Sequence, residues 1–370
     1  MKAVILVGGQ GTRLRPLTCT IPKPMLPLVN IPLLEHVIRL LKQFDITDII
    51  LSTSYRPECF ESYFADGCHL KVKLTYVTEE KPLGTCGAVK NVERFLEGTF
   101  IVFNGDIVTN LNLAQLMEYH HAKKAMATIA LTPVEDPTAY GLVLLDTSGQ
   151  VLNFVEKPSW DEVTTDLINA GTYVLEPEIL RYAPKGENYS FERDFFPTLL
   201  EKGERVFGFP SGAYWLDIGT PEKYLQAHHD ILDGKLDFEF SGREIKPRVW
   251  IGEGTEIGPE ATIFGPTVIG KNCRIHSNAT IFSNTTIGNN CVIQTGAMLE
   301  RCVIFDGCHI DEASVVRNSL LGRGLCLGKK VHVAETAVLG DNMIIEDENH
   351  LKRGVRIWPD TKIERAKIKF

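Results

Sequence analysis

Apolar and polar residues alternate along this chain in two rhythms, and the change between them divides it. In the first, short apolar runs alternate with stretches whose apolar residues recur at helical spacing. Ala3-Val4-Ile5-Leu6-Val7 is an apolar, β-branched run that stops at Gly8-Gly9, the pattern of a buried parallel strand entering a tight turn. Leu33, Leu34, Val37, Ile38, Leu40, Leu41 and Phe44 predict an amphipathic helix over residues 32–44. Strands are predicted at 48–52, 71–77 and 99–103, with helices over 56–64 and 85–96 between them. Strands alternating with helices imply a doubly wound, mixed but mostly parallel α/β sheet that takes ligands at its strands' carboxyl ends. Gly8, Asp106 and the loop after Val77 all fall at such ends, which predicts one site.

Beyond residue 245 the period becomes six. Ile251, Ile257, Ile263, Ile269, Ile275, Ile281, Ile287, Ile293 and Leu299 follow one another at every sixth position, several with a glycine behind them. The register slips between 302 and 316, then resumes at Leu321, Leu327, Val333, Leu339 and Ile345. Six suits neither a helix nor an alternating strand. It predicts a hexapeptide β-helix with one short strand on each triangular face. The expected domains are therefore 1–233 and 248–370, with a linker at 234–247; Trp358-Pro359 and residues 362–369 should cap the last coil.

Composition narrows the function without naming it. The chain has 370 residues, enough for two domains with cores of their own. Hydrophobic content of 44% and charged content of 23% are ordinary for a soluble globular protein. A net charge of −8 argues against nucleic acid and anionic membranes as partners, while leaving room for a local basic pocket. No secretory signal pattern and no membrane-spanning apolar run is visible. Nine scattered cysteines, never in Cys-x-x-Cys pairs, predict free thiols and a cytoplasmic location.

The glycine turn carries the first chemistry. Glycines allow positive φ and close approach of backbone N–H groups to a phosphate, and Thr12, Arg13 and Arg15 add a hydroxyl and two cations. No Gly-Lys-Ser/Thr is present, so this is not a P-loop, and no Gly-x-Gly-x-x-Gly, so it is not a dinucleotide fingerprint. Pro22-Lys23-Pro24-Met25-Leu26-Pro27 stiffens the segment that holds Lys23 near the turn. Asp106, in Asn104-Gly105-Asp106, reads as a turn residue or as a Mg²⁺ ligand at a strand end. Asp217, in Tyr214-Trp215-Leu216-Asp217, reads as a helix cap or as a second metal carboxylate. Glu156-Lys157-Pro158 is a strand-end ion pair or a ligand clamp.

Leu6-Val7-Gly8-Gly9 through Thr18, together with Pro22–Pro27, resembles the N-terminal signature of the sugar-1-phosphate nucleotidyltransferases, the NDP-sugar pyrophosphorylases. The resemblance extends over the whole chain and implies a left-handed β-helix at the C-terminal end. It implies that Leu6, Gly8, Gly9, Gly11, Thr12 and Arg13 bind the nucleotide, with Glu79, Glu80 and Gly84 around the base. It further implies Gly141, Glu156, Lys157, Asn169 and Thr172 as sugar-phosphate contacts, Asp106 and Asp217 as the Mg²⁺ pair, and Arg13, Lys23 and Lys157 as catalytic cations. Cys86 stands where many relatives have alanine and reads as a small buried thiol. Within the family, Pro82-Leu83-Gly84-Thr85 and Tyr214-Trp215-Leu216-Asp217 look most like mannose-1-phosphate guanylyltransferases.

The expected reaction joins a sugar 1-phosphate to an NTP, GTP favoured, and releases pyrophosphate. Glucose 1-phosphate with dTTP, UTP or ATP is the alternative substrate pair. A non-catalytic regulatory subunit, a purely structural assembly protein and a bifunctional acyltransferase are rival readings. The last would need a catalytic histidine among His276, His309 and His332 of the coils. Self-association through the β-helix, giving a homo-oligomer, is also expected.

Overall fold

The computed structural model describes residues 1–368; Lys369, at the end of the expected cap, lies outside the described residues. The chain forms two compact units that do not follow it linearly. One comprises Met1–Gly9 and Leu34–Trp215, the other Gln10–Leu33 and the chain from Leu216 onward.

The first unit is built on a nine-stranded sheet. Its strands are β1 (Lys2–Leu6), β2 (Asp48–Thr53), β3 (Lys73–Thr78), β4 (Phe100–Asn104), β5 (Ala127–Pro133), β6 (Gly141–Leu145), β7 (Val151–Glu156), β8 (Leu167–Leu175) and β9 (Val206–Pro210). The order is β7-β6-β8-β4-β1-β2-β3, with β5 also on β8 and β9 on β5. β1 lies between β2 and β4, parallel to both, with Lys2 opposite Asp48 and Phe100. β8 is antiparallel to β4 and to β5, so the sheet is mixed. β1 and β4 are buried because nearly every side chain is apolar, as a strand covered on both faces requires. Helices α1 (Leu33–Gln43), α2 (Pro57–Phe64), α3 (Gly84–Asn91), α4 (Leu113–Lys123) and α5 (Phe196–Glu201) belong to the connections between strands.

Two expected bounds shift for local reasons. β3 begins at Lys73 because Lys71 takes a left-handed φ of 60° at the end of a short 3-10 turn. α3 ends at Asn91, and a separate turn at Glu93–Phe95 replaces the rest of the expected helix; Asn91 and Val92 are weak helix formers. The core gathers Val4, Phe100, Val102, Tyr173, Phe191, Phe195 and Phe196, none more than 1% exposed.

In the second unit the sixth-residue pattern becomes three faces of eight, seven and six strands among the described residues, parallel throughout except for one antiparallel strand at the edge of the first. Ile251, Ile269 and Ile287 stack on one face, Ile257, Ile275 and Ile293 on the next, Ile263, Ile281 and Leu299 on the third. The slip is two separate one-residue losses. Ile287 pairs with Ile304 and Val316 with Val333, so the coils there are one residue shorter, while every apolar column stays in line. Both losses fall at corners, after Leu299 and after Val316, where no ladder bond is broken.

Of the buried polar residues at the corners, Ser314, Ser319 and Asn349 pair with backbone carbonyls. Asn349 is fully buried, donates to the carbonyls of Glu346 and Glu364, and accepts the N–H of Ile368, which ties the final coil to its neighbour. The expected linker contains a strand, Arg243–Lys246, antiparallel to Val249–Ile251 at the edge of one face. A fourth histidine, His350, belongs to the coils and stacks on His332 with ring centroids 4.6 Å apart. Helix α6 (Pro221–Leu232) packs against the coils through Tyr224 and His229, whose ring accepts from and faces Arg301. All nine cysteines are free thiols, and Cys86 is fully buried. Among the described residues, no helix is long and apolar enough to cross a membrane.

Candidate functional site

The first unit holds the expected residues Leu6, Gly8, Gly9, Glu79, Glu80 and Gly84 and those expected at the sugar phosphate. β1 delivers Leu6 to Gly8. Ser54 Oγ donates to the Gly8 carbonyl at 2.6 Å, and a Cβ on Gly8 would lie 2.6 Å from that same oxygen. Glycine is needed here for close approach, not for φ. The left-handed glycine of this loop is Gly11 instead, at φ 59°. Nothing in the structure explains Gly9, whose added Cβ would meet no atom within 4 Å.

Beside it, the Gly105 N–H donates to the Leu6 carbonyl at 2.9 Å, and a Cβ there would press on Val7 at 2.8 Å. That close approach sets Asp106 just beyond the β1 and β4 ends, half-buried. Two residues earlier, Asn104 Oδ1 is buried without a hydrogen-bond partner among the described residues. A buried acceptor two residues from a carboxylate suits a cation or a donor.

Glu79 and Glu80 separate. Glu80 is exposed, whereas Glu79 is half-buried and turned onto its own loop. Its Oε2 accepts the Leu83 N–H at 3.0 Å and its Oε1 accepts from Ser52 Oγ at 3.3 Å; burial pushes its pKa above the usual carboxylate range despite these bonds. Glu79 therefore shapes the turn that leads to Gly84. Gly84 has φ 72°, and a Cβ there would strike the Tyr189 carbonyl at 2.8 Å.

Among the residues expected at the sugar phosphate, Gly141 faces Phe154, where a Cβ would come within 2.6 Å of the ring. Glu156 ends β7. Burial pushes its pKa up, the Glu192 charge adds to this, and Lys157 and Arg193 oppose it. Lys157 holds a left-handed φ of 52°, with its N–H on the Tyr140 carbonyl at 2.9 Å. A non-glycine residue in that region is a strain the surroundings must enforce, and such strain clusters at functional sites. Asn169 uses its amide inside the chain: Oδ1 accepts the Gly171 N–H at 2.9 Å and Nδ2 donates to Tyr173 Oη at 2.8 Å. Thr172 is 1% exposed within the sheet, opposite Phe103.

Sequence reasoning missed Glu192. It lies in a π-helical turn, Phe191–Phe195, an irregularity frequent at functional sites. Its carboxylate accepts from Tyr173 Oη at 3.2 Å, Thr85 Oγ1 at 3.2 Å and Ser190 Oγ at 2.6 Å. It thereby joins Thr85, next to Gly84, to the Asn169–Tyr173 pair. The only signal in the chain was an acidic residue inside an aromatic run, Ser190-Phe191-Glu192-Arg193-Asp194-Phe195.

The second unit assembles the other expected groups. Lys23 is 7% exposed, and its ammonium stands 3.4 Å from Asp217 Oδ1. A Cβ on Gly219 would lie 2.9 Å from Asp217 Oδ2 and 3.1 Å from Arg13 Nη2, so Arg13 and Asp217 flank one glycine. Gly11 packs on Lys23, where a Cβ would lie 2.9 Å from the lysine Cβ, and its carbonyl accepts from Thr18 Oγ1 at 2.8 Å. Thr12 and Arg13 remain exposed on the short helix that follows. Two cations and a carboxylate gathered on proline-stiffened backbone suit a polyanionic ligand with a bound cation.

No group of three or more His, Cys, Asp or Glu among the described residues would enclose a metal by itself. Mg²⁺ asks for less, since it keeps waters and takes one or two carboxylates plus substrate phosphates. In the first unit Asp106 and the orphaned Asn104 oxygen, and in the second Asp217, are each hard donors of the right kind.

Comparison with known proteins gives these groups a context. The family profile described as Nucleotidyl transferase matches residues 2–234, and that described as GMPPB C-terminal domain matches 263–369. A mannose-1-phosphate guanylyltransferase of Mycobacterium tuberculosis is 38% identical, covering 85% of this chain and 82% of its own. A UTP--glucose-1-phosphate uridylyltransferase of Synechocystis is 33% identical over 95% of this chain and 94% of its own. Among solved structures, HddC from Yersinia pseudotuberculosis complexed with GMP-PN is 34% identical with a TM-score of 0.54, over 61% of this chain and 97% of its own. With a glycine turn, a lysine–aspartate pair and a strand-end aspartate in place, and with the family profile spanning more than half its length, the chain belongs to the nucleotidyl transferase family.

Proposed function

We propose that the protein makes GDP-mannose and pyrophosphate from GTP and mannose 1-phosphate. The observation that carries the reaction class is the buried Lys23 ammonium beside Asp217, with Arg13 on the same glycine. The names of the relatives support the substrate pair, and the uridylyltransferase among them keeps UTP with glucose 1-phosphate as the second reading.

The sugar phosphate is already an anion, so no general base is required. The barrier is repulsion between two phosphates and charge growing on the departing pyrophosphate, which calls for positioning and neutralisation. In this reading Arg13 and the backbone around Gly8, Gly11 and Thr12 hold the triphosphate. Lys23, desolvated and fixed by its neighbours, neutralises charge at the α-phosphoryl group. Lys157 aligns the sugar phosphate, and Glu156 accepts sugar hydroxyls beside the Gly141 backbone. Mg²⁺, when held by Asp106 and Asp217, would supply further charge neutralisation on the phosphates. Glu79 stiffens the base loop, leaving Glu80 and the backbone near Gly84 to face the base edge.

The test of the substrate pair is a grid of NTPs against sugar 1-phosphates, read as pyrophosphate release. GTP with mannose 1-phosphate should give the highest kcat/KM; a higher value for UTP or dTTP with glucose 1-phosphate would transfer the assignment to the second reading.

Asp106→Asn and Asp217→Asn should each lower turnover by about two orders of magnitude or more, because a metal carboxylate is worth several kcal/mol of transition-state charge stabilisation. Near wild-type turnover of either folded variant removes that residue from the metal site.

Ionised Glu156 accepts a hydroxyl more strongly than its protonated form, and its pKa is raised, so sugar-phosphate binding should weaken as pH falls through a midpoint above the usual carboxylate range. Glu192→Gln removes the like charge while Lys157 and Arg193 still face Glu156, and should move that midpoint down. An identical pH profile of KM in wild type and variant argues against Glu156 as the acceptor.

Self-association through the β-helix belongs to the same proposal. Phe264 is 48% exposed and stacks on Phe282 with centroids 5.5 Å apart, an apolar ladder suited to burial against a second copy. Phe264→Asp should reduce the particle mass measured by light scattering; an unchanged mass excludes this face.

A further inference from the structure

The segment that carries Arg13 and Lys23 is bonded to the coils. Gln10–Leu33 forms one compact unit with the β-helix, and the attachments are specific. Thr20 Oγ1 donates to Asp341 Oδ2 at 2.6 Å. Asn30 Nδ2 donates to the Ile287 carbonyl at 2.8 Å. Arg356 Nη1 donates to the Arg13 carbonyl at 3.2 Å, while Nη2 faces Glu222 at 4.0 Å. Tyr224 Oη, from α6, donates to the Pro27 carbonyl.

Asp341 stands out among the corner aspartates of the coils. Asp306, Asp341 and Asp347 each use Oδ1 to accept an N–H of an adjacent coil, from Asn289, Arg323 and Lys329, at 2.7, 2.8 and 2.8 Å respectively. Asp306 is exposed and Asp347 half-buried, but Asp341 is 6% exposed, and its second oxygen is the one that receives Thr20. A desolvated carboxylate accepting a hydroxyl makes one of the stronger kinds of hydrogen bond. It is placed three residues from Lys23 along a stretch stiffened by Pro22 and Pro24. Displacing Thr20 would therefore displace the lysine.

We propose that Asp341 and Arg356 are positioning residues for the reaction: the β-helix is the floor on which the Arg13–Lys23 loop is set. The proposal rests on the reading of Arg13 and Lys23 as phosphate-binding cations. It gives the coils a part in catalysis that is independent of self-association. Alignment of charged groups on a phosphoryl centre is steep in distance, so a loop loosened by an ångström loses rate without losing the fold.

The experiment uses the whole 370-residue chain and seven variants: four single replacements, one double variant and two controls in the loop itself. Thr20→Val removes the donor with little change of shape, and Asp341→Ala removes the acceptor. Asp347→Ala removes an equivalent corner bond that touches no loop, and Arg356→Ala frees the Arg13 carbonyl. Steady-state kinetics are measured with GTP and mannose 1-phosphate, alongside thermal unfolding. Thr20→Val, Asp341→Ala and Arg356→Ala should each lower kcat/KM for GTP about tenfold or more, with the KM for the sugar phosphate unchanged. The Thr20→Val/Asp341→Ala double variant should be no worse than the poorer single one, because both break the same bond. Asp347→Ala should keep wild-type kinetics even where its unfolding midpoint falls. Kinetics of Thr20→Val within twofold of wild type overturn the proposal, as does an Asp347→Ala loss equal to that of Asp341→Ala. Arg13→Ala and Lys23→Ala separate the two levels: if they are inactive while Thr20→Val is normal, only the positioning role fails. If they retain full activity, the phosphate-binding reading fails and takes the proposal with it.

Discussion

The candidate groups of the second unit are arranged around one desolvated ion pair. Lys23 keeps its ammonium almost out of water, 3.4 Å from Asp217. Removing a charge from water is costly unless a partner and a rigid frame compensate it. The frame is visible in the covalent structure around it: prolines on either side of Lys23, a glycine at position 11 that alone admits the lysine stem, and a glycine at 219 that leaves room for Asp217 and Arg13 together. A lysine held this way would lose little motion on meeting an anion, the condition for electrostatic preorganisation.

The same logic runs through the first unit in a different material. There the fixed points are hydrogen-bonded carboxylates. Glu79 turns onto Leu83 and Ser52, and Glu192 gathers Tyr173, Thr85 and Ser190. Each uses its oxygens on protein donors and so shapes a loop. Glu156, without such a set of donors and facing the charge of Glu192, is left with a raised pKa and an affinity for a donor that a sugar hydroxyl would satisfy. The division between structural and available carboxylates follows from where the N–H and O–H donors fall.

The β-helix shows how a repeat absorbs both irregularity and function. Its one-residue losses sit at corners, so the apolar columns remain continuous while the outside varies. A corner aspartate can then take a second task at no cost to its coil, as Asp341 does toward Thr20. The sixfold pattern constrains only inward positions, which leaves the outward ones free to hold a loop.

Much of this was determined by the sequence alone. Periodicity located the parallel strands, the first helix and the coils, because burial on one face forces a period that composition cannot hide. The Gly8–Arg13, Pro22–Pro27, Glu156-Lys157 and aspartate motifs marked the candidate residues, since phosphate and metal ligation would restrict residue type at fixed spacing. The tertiary structure decided what spacing cannot express. It assigned the left-handed conformation to Gly11 and Lys157, which depends on neighbours distant in the chain. It turned Glu79 inward and committed the amide of Asn169 to Gly171 and Tyr173, because a side chain's partners are set by three-dimensional proximity. It brought in Glu192, which no motif marks. And it placed residues 10–33 with the coils that begin more than two hundred residues later, a grouping made by contacts such as Thr20 with Asp341 that no local pattern records.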